Sequence, residues 1–244
     1  NFQEHPGGDL AHRTSPTNIG LYLLSVVAAR DHQWIGAVEM ADRLEATFGN
    51  IQRLELCRGH LFNWYDTHDL RPLEPRYISS VDSGNLAGHL IAVANACTEL
   101  STATGANALW PVGVADALAL ARDALVAVRH HVSPEVAQVD AISAALREFT
   151  DFLGRIAPTR NNDRILTEAA EHASRLVKAA GSLIELRADA QATEILIWSE
   201  AAQRAVLSHA EDSKLTHDMP ERLRKLALTA RKLFDEMNFK FLID

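Results

Sequence analysis

Two serine–proline pairs, Ser15–Pro16 and Ser133–Pro134, each stand directly ahead of a stretch whose apolar residues recur every three to four positions. A serine side chain caps the free N–H groups at a helix start, and proline at the first helical position gives up no bond the helix would make there. The device therefore predicts two helix starts and an α-helical chain around them. After the first pair, Ile19, Tyr22, Leu23, Val26 and Val27 trace the inner face of a helix to about Ala29. A second helix is predicted from about Gly36 to Leu56, with Val38, Met40, Leu44, Phe48, Ile51 and Leu54 inward, antiparallel to the first.

Between Arg58 and Ser83 the periodicity stops. Aromatic residues gather in Phe62, Trp64 and Tyr65, and Pro72 and Pro75 forbid a helix, so this segment reads as a long ordered loop or short hairpin. Ser79 to Asn85 then offers several capping residues for a helix from about Asn85 to Leu100, apolar nearly all round and so expected to be deeply buried. Further helices are predicted from about Gly113 to His131, from Ser133–Pro134 to Ile156 with Pro158 as the stop, from a cap at Asn161, Asn162 or Asp163 to Leu186, from Asp189 to His209, and from Pro220 to Met237. Phe239 to Asp244 alternates like a strand. The expectation is an all-α chain of seven or eight helices arranged as hairpins and forming part of an α/α toroid, the rival arrangement being a bundle or solenoid. Residues 1–102 carry the hairpins with polar and aromatic loops. Residues 103–244, Ala-rich after Gly105, read as a continuation of the same domain cut at its C-terminus, and the start at Asn1 reads as a second cut.

Charge narrows the partners. The net charge of -8 lacks the basic stripe that a phosphate backbone requires, whereas a neutral sugar is compatible with it. No apolar run reaches the length of a membrane span, so direct membrane insertion is not expected. Cys57 and Cys97 lie far apart without ligand spacing and read as two buried thiols. His60, His89, His130 and His131 lack the spacing that joins metal ligands on one helix face, so no metal is expected, and His130–His131 reads as a helix C-terminus. Neither a glycine-flanked nucleophilic serine nor a glycine-rich phosphate loop occurs, so no cofactor is expected in this stretch.

Three clusters remain, each where a loop meets a helix: Arg13 to Asn18, Trp64 to Asp66, and Asp82 to Asn85. Sugars present apolar ring faces edged with hydroxyls, which flat aromatics and Asn, Asp or Arg side chains recognise. The candidate binding residues are Arg13, Asn18, Trp64, Tyr65, Asp66, Asp82 and Asn85. Each has a second reading. Trp64 and Tyr65 can pack on the core, Arg13 can pair with an acid, and Asn18 and Asn85 can satisfy backbone groups. Asp66 and Asp82 are the only pair to nominate for the two-carboxyl chemistry of glycoside cleavage, although Asp82 also reads as a helix cap.

Three strings, Arg13 to Leu24, Gly59 to Thr67 and Ser79 to Leu90, resemble consecutive signature segments of cyclic β-1,2-glucan synthases, and Met237 to Asp244 looks like the entry to the glucoamylase-like part of the same region. The resemblance implies a parent enzyme of the bacterial inner membrane with three parts. A transferase elongates β-1,2-glucan from UDP-glucose, a central α/α-barrel closes the ring by transglycosylation, and a phosphorylase-like domain trims chain length. This chain would be the N-terminal half of the cytoplasmic central part, touching β-1,2-glucan and the parent's other domains, with the catalytic carboxylates beyond it. The rival reading is a noncatalytic helical scaffold between the parent's domains.

Overall fold

The computed structural model describes residues 2–3, 9–103, 109–129, 136–156, 163–214 and 218–242. The pairs Ser133–Pro134 and Asn161–Asn162, together with Gly105, His130, His131 and Pro158, lie outside the described residues. In chain order the elements are β1 (Phe2–Gln3), β2 (Asp9–Leu10), β3 (Arg13–Thr14), α1 (Pro16–Asp31), α2 (Ala37–Ile51), β4 (Leu56–Cys57), β5 (His60–Leu61), β6 (Tyr65–Asp66), α3 (Ser80–Thr102), α4 (Trp110–Arg129), α5 (Val136–Gly154), α6 (Asp163–Leu186), α7 (Ala190–Lys214), α8 (Met219–Asp235) and a 3-10 turn, Phe239–Leu242. The chain is all-α, its strands being two-residue pairs. It divides into two compact units.

The first unit takes residues 1–28, 40–103 and 217–244. Ser15 caps α1 as expected, its Oγ accepting the Asn18 N–H at 3.2 Å. Tyr22, expected inside, is 42% exposed, while Leu23, Val26 and Val27 are buried. Helix α2 ends five residues before the expected Leu56, because Leu56–Cys57 turn back to pair with His60–Leu61. Arg58 and Gly59 form the reversal with φ of 53° and 81°. Two consecutive positive φ values are what a tight two-residue hairpin needs to match strand twist.

Helix α3 starts at Ser80, five residues before the expected Asn85, and its cap is Ser79, which accepts the Asp82 N–H at 3.2 Å. Asp82 is thus inside the first turn and not the cap. The helix is buried along one face only, through Ser83, Leu86, Ala87, Leu90, Val93, Ala94 and Cys97, with Val81 71% exposed on the other. Its buried face meets Leu223, Leu226, Ala227 and Ala230 of α8. Arg222 at the start of α8 reaches Asp42 at 2.5 Å and both carboxylate oxygens of Glu45 at 2.8 Å, fastening α8 to α2. The expected terminal strand is instead the 3-10 turn. Asn238 donates its N–H to the Arg58 carbonyl at 3.1 Å, and Phe239 lays its ring edge-on to the buried His60 at 4.9 Å, so the segment docks on the hairpin turn without extending a sheet.

The second unit takes residues 29–39 and 104–216. Each of α4 to α7 packs on its neighbour in sequence, and α7 closes the ring on α4. This is a four-helix bundle, the rival arrangement left open by the sequence, and not a stretch of toroid. Leu118, Ile142, Phe149, Leu166, Leu176, Leu183 and Ile195 fill the centre, and Ala121, Ala169, Ala173, Ala180 and Ala202, all fully buried or nearly so, keep the helices close. The Ala-rich composition of this stretch is therefore a packing device. Asp189 caps α7, its Oδ1 accepting the Ala192 N–H at 2.8 Å while Arg187 pairs with the other oxygen. The interior also encloses Ser199 and His209, whose polar atoms find partners within the unit: Ser199 donates to the Ile195 carbonyl at 2.7 Å and His209 Nε2 to the Gln33 carbonyl at 2.9 Å.

Candidate functional site

The N-terminal ends of α1 and α3 stand side by side in the first unit. Thr17, in the first turn of α1, donates its hydroxyl to Asp82 Oδ1 at 2.5 Å, and Asn85, one turn further along α3, points its amide at the same Thr17 oxygen at 3.5 Å. Gly20 sits against the His89 ring, so the two helices advance in the same direction. Side-by-side helix starts concentrate unsatisfied N–H groups and the positive ends of two helix dipoles at one edge. Asp82 lies there because a carboxylate is favoured by both.

Immediately before α1, Arg13–Thr14 of β3 pairs antiparallel with Tyr65–Asp66 of β6, placing Arg13 opposite Asp66 and Thr14 opposite Tyr65. The pairing brings the first two sequence clusters together, and the Thr17–Asp82 bond adds the third. The Arg13 guanidinium lies over the Trp64 ring, 4.8 Å from its centroid. Such a stack orients a planar cation and an aromatic face on one ledge and contributes roughly 0.5–1 kcal/mol at an exposed site. Arg13 is exposed and Trp64 half-buried.

The two other members of the middle cluster are occupied. Tyr65 is fully enclosed, accepts the Phe62 N–H at 2.9 Å and donates its hydroxyl to the Glu55 carbonyl at 2.6 Å. Burial pushes its hydroxyl up to about 12, and its ring has no open face for a sugar. Of the two readings left for this residue, the structure selects packing. Asp66 fastens its own loop: Oδ1 accepts the His68 N–H at 2.8 Å, and that bond holds its carboxyl below the ordinary aspartate value. Asp66 and Asp82 therefore each already accept a hydrogen bond, Asp66 within its own loop and Asp82 from Thr17. Asn18 gives its N–H to Ser15, and Asn85 is exposed beside Thr17.

Sequence reasoning passed over Thr17, the residue that joins the first cluster to the third; a threonine in a first helical turn carries no signal of a partner 65 positions away. Beneath the hairpin an apolar pocket lined by Ile51, Leu61, Leu86, Leu90, Leu233 and Met237 has a volume of about 10 Å³, room for about one water molecule. That pocket is too small for a saccharide. Cys97 is buried, which raises its thiol to about 11, and Cys57 is only partly buried; both are free. Among the described residues no helix is long and apolar enough to cross a membrane.

No protein-family profile matches the chain. Against curated proteins it is 40% identical, over 261 aligned positions, to the cyclic beta-(1,2)-glucan synthase NdvB of Rhizobium meliloti (strain 1021). The similarity covers 99% of this chain and 9% of that protein, so the chain spans about a tenth of the relative it matches. The likeness first read in short strings thus runs the length of the chain, which corresponds to a segment of a cyclic β-1,2-glucan synthase.

Proposed function

We propose that this segment holds β-1,2-glucan for a cyclic β-1,2-glucan synthase, as the N-terminal part of a central domain that closes the ring by transglycosylation. The observation that carries the reading is the Arg13–Trp64 ledge at the paired starts of α1 and α3. A stacked indole offers a pyranose its apolar face, and Arg13 and Asn85 offer donors for the hydroxyls around it. Parallel helices that start at one edge are also what the inner wall of an α/α toroid requires, with the ligand site in the loops at that edge. In this reading the first unit contributes a wall and the reacting carboxylates come from elsewhere in the parent, since Asp66 and Asp82 are spent on a loop and on Thr17.

Titrating the purified chain with linear β-1,2-gluco-oligosaccharides, followed by tryptophan fluorescence, tests it. Trp64→Ala is expected to weaken binding about tenfold, the scale of one lost aromatic stack, and Arg13→Ala to weaken it less. Unchanged binding by folded variants would remove the ledge from the site. Chromatography of the same mixtures is expected to show neither rings nor shortened chains. Turnover abolished by Asp82→Asn would instead make Asp82 a catalytic group.

A noncatalytic scaffold is favoured by one observation, the enclosure of Tyr65 and the local use of Asp66, which leaves the middle cluster largely structural. That reading expects no saccharide binding at all by the folded chain.

A further inference from the structure

Trp34 is a large apolar side chain left 49% exposed in the second unit, in the loop between α1 and α2. An exposed indole on a surface loop ordinarily samples several rotamers; this one is held from three sides. Its Nε1–H donates to Asp116 Oδ2 of α4 at 3.0 Å. Its ring is stacked on the exposed His32 ring, centroids 4.9 Å apart and planes 21° from parallel. Its backbone is anchored through Gln33, which adopts a left-handed φ of 64°, is buried, and accepts the His209 Nε2–H on its carbonyl at 2.9 Å. The Gln33 carbonyl rests directly on Gly113 of α4, where any side chain would collide with it. That contact is why the loop can lie flat on the helix and why Trp34 comes within reach of Asp116 one turn on.

We infer that the Trp34–His32 pair is a second saccharide platform, a preorganised two-ring slab that stacks a pyranose of a neutral oligosaccharide, with Asp116 as its positioning residue. The inference rests on the reading of this chain as a glucan-handling segment and extends it to the bundle, a region that had no functional assignment. Fixing an aromatic before the ligand arrives removes the rotamer entropy that binding would otherwise cost, which is the reason to hold an exposed indole by its N–H. Packing does not explain the arrangement, because half of the Trp34 surface meets water, and neither does the stability of the loop, which Gln33, Gly113 and His209 already fix.

The four tryptophans give four indole N–H signals in a nitrogen-edited NMR spectrum of the full chain, and titration with a linear β-1,2-gluco-oligosaccharide reads Trp34 and Trp64 separately. The Trp34 signal is expected to move saturably. Trp34→Ala, checked for folding by the unchanged signals of the buried Trp110 and the partly buried Trp198, is expected to lower the affinity of the bundle site about tenfold while the Trp64 response persists. Asp116→Ala, which frees the indole and keeps it, is expected to weaken the same site about threefold, a loss that a merely exposed tryptophan would not show. A Trp34 signal that stays still while Trp64 responds overturns the platform and leaves the proposed function standing. Movement of Trp34 alone supports the platform and removes the Arg13 ledge, and no movement of either overturns both.

Discussion

Asp212→Ala is expected to destabilise the second unit by about 3 kcal/mol, measured as a fall in the urea midpoint with an unchanged slope. Asp212 stands near the end of α7, yet its carboxylate caps a different helix: Oδ2 accepts the Ala37 N–H at 3.0 Å and Oδ1 the Val38 N–H at 2.9 Å, the first two amides of α2. Beside it Ser208 accepts the Gly36 N–H at 2.8 Å and donates to Glu39 at 2.5 Å. The first amides of α2 and the Gly36 N–H before them are therefore held by side chains of α7. Removing the carboxylate strands two nearly buried donors, each costing about 1–3 kcal/mol unless water replaces the acceptor. Hydrogen exchange supplies the local readout, since the Ala37 and Val38 amides should lose protection before the rest of α2. Equal protection in the variant would mean the cap contributes nothing.

The same group sets an acid limit. Burial opposes ionisation of Asp212 and is the largest single influence on it. The hydrogen bonds from the Val38 and Ala37 amides, with the His209 imidazole 3.7 Å away, together outweigh burial and hold the carboxyl below the ordinary aspartate value. A carboxyl whose folded value is depressed contributes stability that is complete above its unfolded value, about 3.9, and is lost as pH falls through the folded value. Acid unfolding of the wild-type chain should therefore steepen below about pH 4, and Asp212→Asn should flatten that limb. A variant with the wild-type acid limb would show that other carboxylates set it.

Gly59→Ala is expected to cost several kcal/mol and to release the C-terminal segment from the hairpin. Gly59 has φ +81°, where a side chain adds roughly 1–2 kcal/mol of backbone strain. In addition, the new Cβ would overlap the carbonyl of Glu236, which is backbone and cannot swing aside. The bond from Asn238 N–H to the Arg58 carbonyl and the packing of Phe239 on His60 depend on that approach. Circular dichroism should show a lowered melting midpoint with little loss of helix, and limited proteolysis should cut near residue 237 in the variant first. A variant with wild-type stability would show that the turn and the C-terminal segment part without cost.

Helix positions were legible because each is a local property. Ser15, Ser79 and Asp189 cap through bonds to residues three positions on, and the apolar spacing that defines α5, α6 and α8 needs no knowledge of the partner. Errors arose where pairing or packing outside the helix decides. Helix α2 was expected to continue to Leu56 because its periodicity does, but pairing across the Arg58–Gly59 turn removes the last residues. Phe239 to Leu242 alternates like a strand and coils instead, since the surface it meets is a ring and a turn with no free strand edge.

The candidate site divides along the same line. The amino-acid sequence determined which residue types stand at the loop–helix junctions, and with them the likeness to a cyclic β-1,2-glucan synthase segment. It also determined an all-α chain. Only the tertiary structure decided which of those residues are free to act. It set Arg13 on Trp64, enclosed Tyr65, gave Asp82 to Thr17 and lent Asp212 to α2, contacts that span between 10 and 175 positions. It also closed the Ala-rich half into a bundle that presents Trp34 on its surface. Caps and periodicity are written within one helical turn, whereas a side chain's burial and its hydrogen-bond partner depend on which distant segment arrives beside it.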